Sequence, residues 1–103
     1  MITLRNDYDD APNIRFAGTL IASASSRDDS GSPGRWAEYR LYKTRDGRYA
    51  CSAVSKTCWD DERDWSRAAF CATEAEVKAF FGAGWLAREL YDDAGIEYSD
   101  DEI

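Results

Sequence analysis

The stretch RWAEYRLYKTRDGRYACSAVSKT (35–57) alternates, breaks and alternates again. In an extended chain, Ala37, Tyr39 and Leu41 share one face, while Trp36, Glu38, Arg40 and Tyr42 share the other. The break falls at Arg45-Asp46-Gly47-Arg48, where Asp-Gly tolerates the positive φ that tight hairpin turns demand. YACSAVSKT (49–57) then supplies a returning strand. The stretch predicts an antiparallel hairpin turning at Asp46-Gly47.

Working outward toward the N-terminus, RDDSGSPG (27–34) is dense in turn formers and reads as a loop. NIRFAGTLIASASS (13–26) reads as one strand. Ile14, Phe16, Gly18, Leu20 and Ala22 would lie on one face and Arg15, Ala17, Thr19, Ile21 and Ser23 on the other. Gly18 signals a bulge or the close approach of a neighbour. Ile2-Thr3-Leu4 is a short β-capable piece.

Toward the C-terminus, CWDDERD (58–64) is a charged loop leading into a strand over Trp65–Cys71. Thr73-Glu74-Ala75-Glu76 fits a capping box, with Thr73 as N-cap and Glu76 reaching back. A helix follows through VKAFF (77–81). GWLARELYDDAG (84–95) reads as a second helix with Leu86 and Leu90 on its apolar stripe, Trp85 on the adjoining side and Gly95 as its stop. Strands precede helices. The expected fold is therefore α+β: a small antiparallel sheet of about four to five strands covered by one or two C-terminal helices. At 103 residues the chain is expected to be a single domain, 1–103, with a flexible acidic tail over 97–103.

The residue types narrow the chemistry. The chain has no histidine and three cysteines, Cys51, Cys58 and Cys71. Ser-His-Asp and Cys-His nucleophilic systems in their usual forms need the missing imidazole. Three cysteines without a C-x-x-C pair are poor zinc spacing. Walker, G-x-G-x-x-G and G-x-S-x-G motifs are absent. No catalytic, metal or cofactor site is expected, and the chain reads as a binding protein rather than an enzyme. Cys51 and Cys71, in strands, read as small core residues, and Cys58 as the exposed thiol. The odd cysteine count and an N-terminus without a signal-like pattern point to a reducing cytoplasm. No run is apolar enough to predict a membrane span.

Charge is distributed unevenly. The net charge is −7, from 20 acidic and 13 basic side chains. No base follows Arg88, whereas seven acids lie between Glu89 and Ile103, so residues 1–88 balance 13 acids against 13 bases. A docking surface for a protein with a basic, nucleic-acid-binding site is one reading of this asymmetry. A solvated surface and a frayed end is the other. On the docking reading, Trp59, Asp60, Asp61, Glu62 and Asp64 of the charged loop would contact the partner. So would Tyr91, Asp92, Asp93, Glu97, Tyr98, Asp100, Asp101 and Glu102 at the C-terminal end. Trp59, Tyr91 and Tyr98 would be the aromatic anchors. Direct nucleic-acid binding is not expected, since the acidic end repels phosphates. Alternatively, the chain would be a non-enzymatic accessory protein, monomer or homodimer, that regulates a partner or oligomerises, a sheet face carrying Trp36 and Tyr42 then pairing with a second copy.

The opening ITLRND (2–7) resembles the first residues of small uncharacterised proteins of bacteriophages, plasmids and other mobile elements. FAGTLIASASS (16–26), followed by RWAEYRLYKTRDGRY (35–49), is similar to a second such group. These motifs span the first half of the chain, and no catalytic residue comes with them. The resemblance implies a mobile-element protein acting in the cytoplasm of a bacterial host. It further implies an inhibitor of bacterial defence of the anti-CRISPR type, whose partner would be a CRISPR effector or a restriction nuclease.

Overall fold

A computed structural model describes residues 1–7, 12–26, 34–57 and 64–97. Six strands precede two helices: β1 (Ile2–Leu4), β2 (Ile14–Phe16), β3 (Gly18–Ser25), β4 (Arg35–Thr44), β5 (Tyr49–Thr57), β6 (Trp65–Cys71), α1 (Glu74–Phe81) and α2 (Trp85–Ala94). β3 to β6 form an antiparallel four-stranded sheet in sequence order, and β1 and β2 form a separate antiparallel pair. The protein is an α+β fold, as the order of patterns in the sequence implies.

The β4–β5 hairpin pairs Arg35 with Thr57 through to Lys43 with Tyr49. Its turn is wider than a two-residue Asp-Gly loop. The Gly47 amide donates to the Thr44 carbonyl at 3.0 Å, and the Thr44 amide donates to Arg48 at 2.8 Å. Three residues, Arg45 to Gly47, therefore lie between the closing positions. Gly47 has φ +94°, the left-handed conformation that closes such loops with little cost only for glycine.

The stretch 13–26 departs from its expected single strand. It divides at Ala17: β2 pairs with β1, and β3 pairs with β4. A bulge then falls between Leu20 and Ala22, whose partners are Tyr42 and Leu41. Ile21 is the extra residue, so the alternation slips by one. Ala22 consequently enters the helix-side core, whereas Leu20 stays 47% exposed. Even spacing in the sequence would put both on one face.

The sheet is covered on both sides. On one, Leu41, Cys51, Cys71 and Ala22 meet Val77 and Phe81 of α1 and Ala87, Leu90 and Tyr91 of α2. On the other, Ala50 and Ala68 meet Leu4 and Phe16 of the β1–β2 pair. Fully burying one large aliphatic or aromatic side chain contributes about 1.5–3 kcal/mol, so both layers matter to a domain of this size. The second layer also alters the exposed aromatic face expected around Trp36 and Tyr42. The Phe16 ring sits edge-on to Tyr42 at 5.4 Å, leaving Tyr42 half-buried. Trp36 is half-buried, and its Nε1 donates to Glu38 Oε2 at 2.9 Å.

Candidate functional site

α1 begins where the capping box predicts. The Thr73 hydroxyl accepts from the Glu76 amide at 3.2 Å, and the Glu76 carboxylate reaches back to the Ala72 amide at 2.8 Å, one residue before the cap. α1 and Gly82 then position α2 through Tyr91. The Tyr91 hydroxyl donates to the Gly82 carbonyl at 2.6 Å, and its ring is 1% exposed. Burial pushes its phenol up to about 12. Tyr91 is therefore a core residue, and its expected role as a surface anchor is overturned. The helical period explains the correction: Leu86, Ala87, Leu90 and Tyr91 form one continuous buried arc.

The opposite arc of α2 is exposed. It carries Trp85, 63% exposed, together with Glu89 and Asp92 at the i+4 and i+7 positions and Asp93 beside them. Glu97 follows the helix, also exposed, and its carbonyl accepts from Lys78 Nζ at 3.1 Å. The acids expected to dock at this end thus include three on the described surface, Asp92, Asp93 and Glu97. Asp93 is also tied to the sheet, where its Oδ2 accepts from the Ser23 amide at 3.2 Å. Trp59, Asp60, Asp61 and Glu62 lie outside the described residues, as do Tyr98, Asp100, Asp101 and Glu102, and as does the thiol of Cys58.

Asp64 is exposed but engaged. It accepts from the Thr57 amide at 3.0 Å and faces Lys56 Nζ at 3.5 Å. This places it against β5, whereas Asp93 lies against β3. Two inter-strand spacings, on the order of 10 Å, separate those strands. Asp64 and Asp93 are thus anchored on the two strands that flank β4. Asp7, another acid of the sequence clusters, is also committed to structure. Its Oδ2 accepts from the Ser66 amide at 2.8 Å, and its Oδ1 meets Arg5 Nε at 2.8 Å.

Two exposed tryptophans stand where no anchor was expected. Trp85 opens α2, and Trp65, 42% exposed, opens β6. The periodicity of WLARELYDDA held the signal for Trp85. It is off the Leu86–Leu90 stripe and shares an arc with Glu89 and Asp92. For Trp65 no comparable signal exists, because exposed, half-buried and buried positions follow one another irregularly along its strand.

Cys51 and Cys71 are buried, with their sulfurs 3.5 Å apart across β5 and β6. Burial raises both thiols above the ordinary range. Among the described residues no group of three or more Cys, Asp or Glu side chains is placed to hold a metal ion. No described helix is long and apolar enough to cross a membrane. No protein-family model, curated protein or solved structure matches the chain.

Proposed function

We propose that the chain is a protein-binding inhibitor carried by a mobile element, of the anti-CRISPR type, and that α2 is its contact surface. The observation that carries the reading is the outer arc of α2. A largely exposed tryptophan, Trp85, lies on the same helix face as Glu89 and Asp92. Interface energy concentrates in aromatic side chains that insert into a partner, while surrounding charges steer and register the encounter. A helix holds both in fixed relation, so little ordering entropy is lost on association. The partner that fits is a protein with a basic surface flanking an apolar notch, such as the nucleic-acid channel of a CRISPR effector or a restriction nuclease. The site of action would then be the cytoplasm of a bacterial host.

The test is inhibition of target-DNA binding by a panel of purified effectors. The wild-type chain at micromolar concentration is expected to block one of them. Trp85→Ala should weaken that inhibition by about 2 kcal/mol or more, the scale of an aromatic hot spot. Removing residues 97–103 should slow association and flatten its salt dependence, because rim charges act mainly on the on-rate. DNA binding left intact across the panel would refute the inhibitor reading.

A further inference from the structure

We propose that Arg15, Arg45 and Arg48 form a binding site for a phosphate-bearing ligand of nucleotide size. They line an open pocket of about 290 Å³ together with Phe16, Ala17, Thr44 and Asp46. This pocket belongs to the β4–β5 turn and the β2–β3 junction, and it stands independently of the α2 surface.

The fold assembles the site from distant sequence. Arg15 lies on β2, thirty residues before Arg45. The Arg45 amide donates to the Ala17 carbonyl at 2.8 Å, tying the turn to the junction. Next to that bond, Gly18 pairs with Thr44. A Cβ on Gly18 would lie 2.4 Å from the Lys43 carbonyl oxygen, so only glycine permits this approach.

One wall of the pocket is held in place before any ligand arrives. Arg48 Nε meets Asp46 Oδ2 at 3.0 Å, and the Arg48 guanidinium lies over the Phe70 ring at 4.5 Å from its centroid. Asp46 is fixed in turn by the Thr44 hydroxyl, whose residue is buried. Groups fixed this way lose little freedom on binding.

Charge and shape then select the ligand. Among the described residues the pocket is lined by three arginines and one acid, Asp46, and no ion pair of Arg15 or Arg45 occurs. This is a local positive excess on a chain of net charge −7. Guanidinium forks match phosphate oxygens in pairs. Phe16 and Ala17 add apolar surface, and the volume is near the lower end of small-molecule pockets. A lone phosphate would leave most of that space empty, whereas a sugar and base would fill it. The phosphate can belong to a free nucleotide or to the phosphorylated end of a strand.

The test is a nuclear magnetic resonance titration of the full chain at low salt with adenosine diphosphate, orthophosphate and a short 5′-phosphorylated single-stranded oligonucleotide. Saturable shifts are expected at the Arg45, Gly47 and Arg48 amides with the diphosphate, the oligonucleotide or both, which identifies the source. Arg15→Gln combined with Arg45→Gln should weaken binding about tenfold or more, since charged hydrogen bonds are lost. Arg40→Gln, on the same strand as the turn but away from it, should leave affinity unchanged. The proposal is overturned by the absence of saturation at millimolar ligand, by shifts confined to other regions, or by unchanged affinity in the double variant. Orthophosphate binding as tightly as the diphosphate would overturn the nucleotide-sized ligand.

Discussion

Asp93 on α2 accepts a hydrogen bond from the Ser23 amide on β3 at 3.2 Å. β3 is an edge of the four-stranded sheet, and Ser23 lies just after its bulge, paired with Arg40. The opposite edge, β6, is engaged in the same way. Asp7 gives its amide to the Ser66 carbonyl and takes the Ser66 amide on its carboxylate, both at 2.8 Å. Acids that look like surplus charge in the sequence thus occupy edge positions where another chain could otherwise add a strand.

Asp93→Asn should keep the bond to Ser23 while removing the charge. Asp93→Ala should lose both. Urea denaturation is expected to show the alanine variant about 1 kcal/mol less stable and the asparagine variant close to wild type. Sedimentation at rising concentration should show self-association only for alanine, because only that change leaves the β3 edge open. Asparagine is therefore the variant that separates docking charge from sheet structure in any partner measurement.

Tyr91→Phe keeps the ring in the core and removes the donor to Gly82. The expected loss is about 1 kcal/mol in chemical denaturation, the usual net value of a hydrogen bond. Trp85→Ala should change stability by no more than about 0.5 kcal/mol, as exposed substitutions do. A large destabilisation by Trp85→Ala would mean that its ring is packed rather than presented.

Gly18→Ala should cost about 1–3 kcal/mol, read as a lower denaturation midpoint at unchanged slope. Its new methyl group meets backbone, the Lys43 carbonyl oxygen, which cannot rotate away. Crosspeaks of the Thr44–Arg48 turn should shift most, since β3 can relieve the clash only by moving off the turn.

Cys51 and Cys71 should resist a thiol reagent in the native state and react once denaturant is added, as read by peptide mapping. Burial raises both thiols, so the neutral forms are favoured by folding. The stability this contributes is complete below the unfolded thiol value. It is lost as pH rises from there toward the higher folded values, while the unfolded chain ionises first. Native labelling at these two positions should therefore stay slow at mildly alkaline pH, until the fold itself weakens. Prompt modification of either thiol at neutral pH would contradict the packing described.

Much of the architecture was legible locally. Alternation over 35–57 around Asp46-Gly47 marks the central hairpin, and the box at Thr73–Glu76 marks where strands give way to helices. The break at Ala17 was not legible, because residues on both sides are equally β-capable. The partner of each half decides it: β1 for Ile14–Phe16, and β4 for Gly18–Ser25. The bulge after Leu20 was hidden for the same reason. Alternation records which residues can share a face, not where a neighbouring strand absorbs an extra one.

The sequence by itself determined the order of elements, the central hairpin, the capped first helix and the concentration of acid after Arg88. Those depend on backbone preferences and spacing within a few residues. Only the tertiary structure decided what individual side chains do. Tyr91 became core and Trp85 surface according to which side of α2 meets the sheet. Asp64 and Asp93 were tied to different strands, β5 and β3, by the amides of Thr57 and Ser23. Arg15 came to line one pocket with Arg45 and Arg48 where Gly18 lets β3 lie against the turn. Burial and convergence are properties of contacts between residues remote in sequence, and local periodicity carries no information about which remote surface a given face will find.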